Sequence, residues 1–209
     1  MASDRRGTNP FATSCVRPGA LQYACESLVE FEHLLTRIEA GREHQIVGPH
    51  GTGKSTLIHS LRDALAARGW QCASRRIHPG RKPEDDSFVP ALAATDDPTP
   101  RGALLVDGFE QLSWWSRRRW RSAARRLGWT LIITCHQDLG LPTLVQMRPS
   151  LATVQGVVDR LQAGYPQRIQ PADVASQWRK HQPNVRELLF GLYDLYEQRG
   201  GDVGSRFDS

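Results

Sequence analysis

With 209 residues, 39% of them hydrophobic and 8% aromatic, the chain is long enough for one α/β domain and a small appendage. No apolar run reaches the length of a membrane span, the N-terminus opens without the apolar stretch of a secretory signal, and Cys15, Cys25, Cys72 and Cys135 form no C-x-x-C pair; a cytoplasmic protein with reduced thiols is expected, not a membrane, secreted or metal-stapled one. The net charge of +5 is local: residues 113–129 carry six arginines and no acid, so the rest of the chain is close to neutral.

In chain order, residues 1–9 are expected to be disordered, and 9–23 read as an ordered lead-in with a turn at Arg17-Pro18-Gly19. A helix is predicted over 27–40, capped by Ser27, with Leu28, Phe31, Leu34, Leu35 and Ile38 as its apolar stripe and Gly41 as its stop. A strand over 44–47 leads into a Gly-rich loop and a helix that runs to Ala67 with Leu57, Ile58, Leu61 and Leu65 at helical spacing. A second strand is expected over 70–77. Residues 78–102 hold five prolines and read as a long loop, with a short helix around 88–94; a loop of this length is mobile or functional. Then come an apolar strand over 103–106 ending in Asp107, a helix to Leu127 closed by Gly128, strands over 130–134 and 143–147, and helices over 151–162, 172–181 and 184–198. Residues 200–209 are expected to fray.

The most specific feature is Gly48-Pro49-His50-Gly51-Thr52-Gly53-Lys54-Ser55-Thr56, a complete G-x-x-x-x-G-K-[ST] phosphate-binding loop between a strand and a helix. Its glycines let successive N–H groups turn toward phosphate oxygens. Lys54 is one of only three lysines in an arginine-rich chain; a compact ammonium suits the β- and γ-phosphates. The Ser55 hydroxyl suits Mg²⁺, and the helix opening at Thr56 favours an anion through its dipole. The fold class this implies is α/β: a P-loop NTPase, three-layer α/β/α, with a mostly parallel five-stranded sheet over 10–148 and a small helical lid over 149–199. ATP and Mg²⁺ are the expected ligands.

Other residues fall where the chemistry needs them. Asp107 ends a buried strand and can hold, with Ser55, the metal; that strand is expected next to the first one. Glu110 follows a turn at Gly108 and can present its carboxylate to the water that attacks the γ-phosphate. Thr134 and His136, at the end of the next strand, can sense the γ-phosphate or orient that water. Arg186 lies in the first turn of the last helix, where it opposes the dipole and calls for an anionic partner: the γ-phosphate, or an acid such as Glu187 or Asp173.

In this order the pieces resemble the AAA+ and related P-loop ATPases with a catalytic additional strand. Pro183-Asn184-Val185-Arg186-Glu187-Leu188 looks like the sensor-2 helix of bacterial enhancer-binding activators. Asn9-Pro10-Phe11 and Pro18-Gly19-Ala20-Leu21-Gln22-Tyr23 look like the lead-in of the general-secretion-pathway protein A type of AAA ATPase. The resemblance implies a Walker A loop at 48–55, a Walker B strand at 103–107, a sensor strand at 130–136, and hydrolysis of ATP with a lid that follows nucleotide state. The chain departs from the family where Gly108 and Glu110 replace the usual Asp-Glu pair. Two other readings stay open: a small-molecule kinase, since Asp107-Gly108-Phe109 is similar to an element of adenylate kinases, and a nucleotide-dependent binding switch with little hydrolysis.

The arginine-rich helix has two faces. Trp120, Ala123, Ala124 and Leu127 can pack on a sheet, while Arg117, Arg121 and Arg125 recur every fourth residue with Arg118 beside them. The stripe is either a solvated face, a contact for an acidic partner or nucleic acid through Arg117, Arg118, Arg121 and Arg125, or a source of an arginine finger; a membrane contact ranks last. A protein partner or self-association is expected, since no second domain is recognisable.

Overall fold

The computed structural model describes residues 8–20, 23, 28–78 and 101–204. The expected cap at Ser27, the expected helix around 88–94 and the terminal residues 1–7 and 205–209 lie outside that set. The chain divides into two compact units, one of residues 25–48 with 54–147, the other of residues up to 24 with 49–53 and those from 148 onward.

The first unit is built on a sheet of five parallel strands: β1 (Glu43–Val47), β2 (Gln71–Arg76), β3 (Gly102–Asp107), β4 (Thr130–Cys135) and β5 (Thr143–Gln146). Their order is β2-β3-β4-β1-β5. Residues Thr130 to Cys135 of β4 are all buried, as are all but the last of β3; strands covered on both faces of a parallel sheet read as continuous apolar runs, which is how both appear in the sequence. The strand carrying Asp107 is therefore not beside β1, as expected, because β4 lies between them. That placement follows from burial: β4 is wholly buried and takes the centre, while the more exposed β2 takes an edge.

Helix α2 (Leu28–Ala40) buries Leu34, Leu35 and Ile38 of its predicted stripe and leaves Phe31 half-buried, and α3 (Lys54–Ala67) buries all four residues of its stripe, Leu57, Ile58, Leu61 and Leu65. After β3 a single 3-10 turn (Phe109–Gln111) precedes α4 (Trp114–Arg126). The Ser113 hydroxyl accepts from Ser116 N–H at 3.2 Å and caps α4. Trp120, Ala123 and Ala124 pack against Leu104, Leu131 and Ile133 of the sheet.

The second unit is helical. A short α1 (Thr13–Val16) precedes the turn closed by Ala20 N–H to Arg17 C=O. Helices α5 (Leu151–Gln162), α6 (Pro171–His181) and α7 (Val185–Gly204) come after it in the chain. Their apolar faces meet around Val154, Val158, Val174, Leu188 and Leu192, and Phe11 joins them, edge-on to Tyr196. Asn9 is also tied in, its amide donating to Tyr193 C=O and Glu197 Oε1 at 3.1 and 2.7 Å. The lead-in, grouped with the sheet in the sequence, thus packs with the helices because Phe11 finds its apolar partners there. Helix α7 also outruns its expected end at Gln198, passing through Gly200 and Gly201.

Candidate active site

Parallel strands end on one edge of their sheet, and the register aligns Val47 of β1 with Cys135 of β4, and Val106 of β3 with Ile133 of β4. Gly48, Gly108 and His136 come directly after these three strands, so the residues that carry the candidate chemistry emerge along one edge. Gly48 N–H continues the ladder to Cys135 C=O at 3.2 Å. Lys54, the first residue of α3, is buried, and its Nζ donates to Gly48 C=O at 2.6 Å. Ser55 and Thr56 lie in the first turn of α3, which holds no acidic residue to compete with an anion.

At the end of β3, Asp107 is held twice. Thr134 Oγ1 donates to Asp107 Oδ1 at 2.7 Å, and Arg76 Nε donates to Asp107 Oδ2 at 2.9 Å. The same threonine oxygen accepts Gly108 N–H at 2.9 Å. Thr134 is thus engaged in orienting Asp107 and the turn after it. Arg76 escapes a reading of the sequence: only the pairing of β2 with β3, which puts Arg76 opposite Asp107, reveals it. Nearby on α3, burial and then the charges of Arg62 and Arg76 hold the His59 imidazole below its ordinary value.

Gly108 has φ +84°, and a Cβ there would come within 2.7 Å of Ile77 C=O; only glycine makes this turn without strain. The turn brings Glu110 and His136 together, with His136 Nδ1 2.7 Å from Glu110 Oε1. Glu110 Oε2 is buried and has no hydrogen-bond partner among the described residues. A buried carboxylate oxygen left in this way is uncommon and calls for a reason, and an acceptor awaiting a proton is one.

The helical unit holds residues 49–53 and the start of α7. Thr52 Oγ1 donates to Pro49 C=O at 2.9 Å, and Gly51 and Gly53 have φ +72° and +95°. A Cβ on Gly51 would fall 1.7 Å from Asn184 Oδ1, and that oxygen also accepts Glu187 N–H at 3.3 Å. The Asn184 side chain thus caps α7 and lies against the glycine of the loop, a contact the sequence does not announce. Arg186 lies in the first turn of α7 and is exposed. Asp173, one of its expected partners, is taken by Arg199 at 2.6 and 2.9 Å.

The arginine stripe is partly spoken for. Glu43 accepts from Arg121 and Arg125, with the closest contact 2.6 Å. Arg117 donates to Glu110 C=O at 2.6 Å and Leu112 C=O at 2.9 Å. Three of the four arginines assigned to a partner therefore donate hydrogen bonds within the chain.

The donor chemistry suits Mg²⁺ with a nucleotide. Ser55 and Asp107 offer hard oxygen ligands, and no cluster of three His, Cys, Asp or Glu that could hold a metal occurs among the described residues. Mg²⁺ needs no such cage, because it takes one or two protein oxygens and fills its shell with phosphates and water.

No family model matches the chain, and no curated protein matches it in sequence. The fold has solved counterparts. The replication initiator DnaA bound to AMPPCP and single-stranded DNA superposes with a TM-score of 0.57 at 16% identity, over 88% of this chain and 66% of that one. AMPPCP-bound DnaA from Aquifex aeolicus gives 0.53 at 14% identity, over 81% and 60%. A structure described as a DNA replication initiation factor gives 0.56 at 16%, over 86% and 63%. The chain spans roughly three-fifths to two-thirds of these structures' lengths. At this identity the likeness is one of fold. The fold is α/β, with the parallel five-stranded sheet and flanking helices of a P-loop NTPase.

Proposed function

We propose that the chain binds ATP with Mg²⁺ and hydrolyses it, and that nucleotide state governs its hold on a partner. The observation that carries the reading is Glu110: one carboxylate oxygen held by His136, the other buried and unpartnered among the described residues, at the sheet edge where the Gly48–Thr56 loop begins.

In this reading Gly48, Pro49, His50, Gly51, Thr52 and Gly53 wrap the phosphates with backbone N–H groups, and Lys54 moves from the Gly48 carbonyl to the β- and γ-phosphates. Ser55 and Asp107 hold Mg²⁺, which neutralises charge on the phosphate oxygens. Thr134 keeps Asp107 oriented. Glu110 Oε2 takes a proton from the attacking water as the bond from the γ-phosphorus to the bridging oxygen breaks, leaving ADP and phosphate. His136 fixes Oε1 so that Oε2 faces the water. Arg186 meets the γ-phosphate charge from the lid. The partner is a protein, a second copy of the chain or a nucleic acid. No described helix is long and apolar enough to cross a membrane.

A switch with little hydrolysis is the second reading, favoured by Asp107, whose two oxygens are both engaged by protein groups. Phosphate release from ATP·Mg²⁺ without an acceptor separates the readings. Turnover in the wild type, lost in Lys54→Ala and in Glu110→Gln while Glu110→Gln still binds ATP, is the expected result. Turnover unchanged in Glu110→Gln overturns the assignment of Glu110, and turnover that appears only with an added acceptor points to a kinase.

A further inference from the structure

The exposed face of α4 carries a feature that hydrolysis does not use. Trp114 and Trp115 are 62% and 73% exposed, their rings edge-to-face with centroids 4.6 Å apart. Arg118 lies over the Trp114 ring, 5.9 Å from its centroid. Beside them opens a cavity of about 420 Å³ whose wall includes Trp114, Arg117, Arg118, Arg121 and Arg125.

The charge of this cavity is unbalanced. Among the described residues no carboxylate lines it, and the single carboxylate of Glu43 pairs with both Arg121 and Arg125. Arg117 donates to neutral carbonyls, which leave its charge in place. The occupant is therefore anionic. Its other half is decided by which apolar surface is open. Of the other apolar residues in its wall, Phe109 and Leu141 are only 2% and 7% exposed and Leu139 is half-buried, so little aliphatic surface is open to an anchor. The large apolar surface left open is indole, two flat faces nearly perpendicular to each other, with a guanidinium over one. Such faces are stacking platforms, tolerant of any base, and arginines beside them track a phosphate backbone.

We propose that this face of α4 docks single-stranded nucleic acid, with bases on Trp114 and Trp115 and phosphates on Arg118 and the cavity arginines. The inference names the partner of the proposed function and rests on that reading for its purpose, but binding itself is read without nucleotide, so a failure of hydrolysis leaves it standing.

The test is fluorescence anisotropy of a labelled oligo-dT of about 20 nucleotides, longer than one such binding site, titrated at several salt concentrations without ATP. Wild type is compared with the Trp114→Ala/Trp115→Ala double variant, Trp114→Phe/Trp115→Phe and Arg118→Ala; oligo-U and polyglutamate serve as competitors, and thermal melts check folding. The double alanine variant is expected to bind at least about tenfold more weakly with an unchanged melt, the loss of two stacked bases. The phenylalanine variant recovers part of the loss, and Arg118→Ala lowers both affinity and salt dependence. Competition by oligo-U supports the inference and extends it to RNA. Equal binding by the double alanine variant, or no binding by the wild type, overturns it. Competition by polyglutamate but not by oligo-U also overturns it, in favour of an acidic protein surface.

Discussion

Thr134 and Asp107 lie on strands that are neighbours in the sheet, and a single 2.7 Å hydrogen bond joins their side chains. The same threonine hydroxyl accepts the Gly108 amide, so one buried oxygen sets both the carboxylate and the turn that delivers Glu110. Thr134→Val keeps the shape and removes both bonds. It is expected to cost about 1–3 kcal/mol in urea unfolding, because Gly108 N–H is left without its acceptor. Thr134→Ser, which keeps the hydroxyl, recovers most of that loss.

His136 acts on the reaction through Glu110, so it is a positioning residue in this scheme. His136→Ala is expected to lower kcat by up to about 100-fold, the scale of a small misplacement of a catalytic group, with KM for ATP little changed. His136→Asn retains a side-chain N–H and restores part of the rate. A His136→Ala variant whose defect lies in KM alone contradicts the assignment.

Gly51 tests the contact with Asn184. Gly51→Ala meets two obstacles, the Asn184 amide and a φ of +72°, and the left-handed backbone alone costs an alanine about 1–2 kcal/mol. Binding of a fluorescent ATP analogue should be strongly weakened. Adding Asn184→Ala removes the collision but not the backbone cost, so the double variant recovers only part of the affinity. Asn184→Ala alone costs about 1 kcal/mol of stability through the lost cap.

Glu43 gives the pH dependence. Burial alone raises its carboxyl, but hydrogen bonds and charge from Arg121 and then Arg125 outweigh that and hold it below its ordinary value of 4.5. A group depressed in the folded state adds stability above its unfolded value and loses it as pH falls through the folded one. Glu43→Gln should therefore be less stable than wild type by a constant amount above about pH 4.5, on the order of 1 kcal/mol given the exposed arginines. The gap closes in more acidic solution, as chemical denaturation at stepped pH would record. The same variant releases Arg121 and Arg125 and should bind oligo-dT more tightly.

What the sequence yields and what it withholds divide along physical lines. The phosphate loop, the stripes of α2 and α3, and the buried faces of α4 are local patterns, and periodicity alone reads them. The central place of β4 is not local; it depends on which of several apolar strands is most completely covered. Glu110 and His136 are each legible as candidates, but their pairing depends on Gly108 turning the chain back. Arg76 on Asp107 and Glu43 beneath two arginines are products of strand register and helix docking, and no spacing in the chain encodes them. The arginine stripe reads as one uniform basic face for the same reason, although Glu43 and two carbonyls claim most of it.

Arg117 grips the carbonyl of Glu110 from the first turn of α4, while His136 grips the same residue's carboxylate. Only residues 111–113 lie between that glutamate and the exposed indoles of Trp114 and Trp115. In the proposed scheme, cargo and chemistry share one short stretch of backbone. In that scheme a strand on the indole of Trp114 and a water at the carboxylate of Glu110 would be four residues apart along the chain, so coupling turnover to loading would require no relay through the sheet.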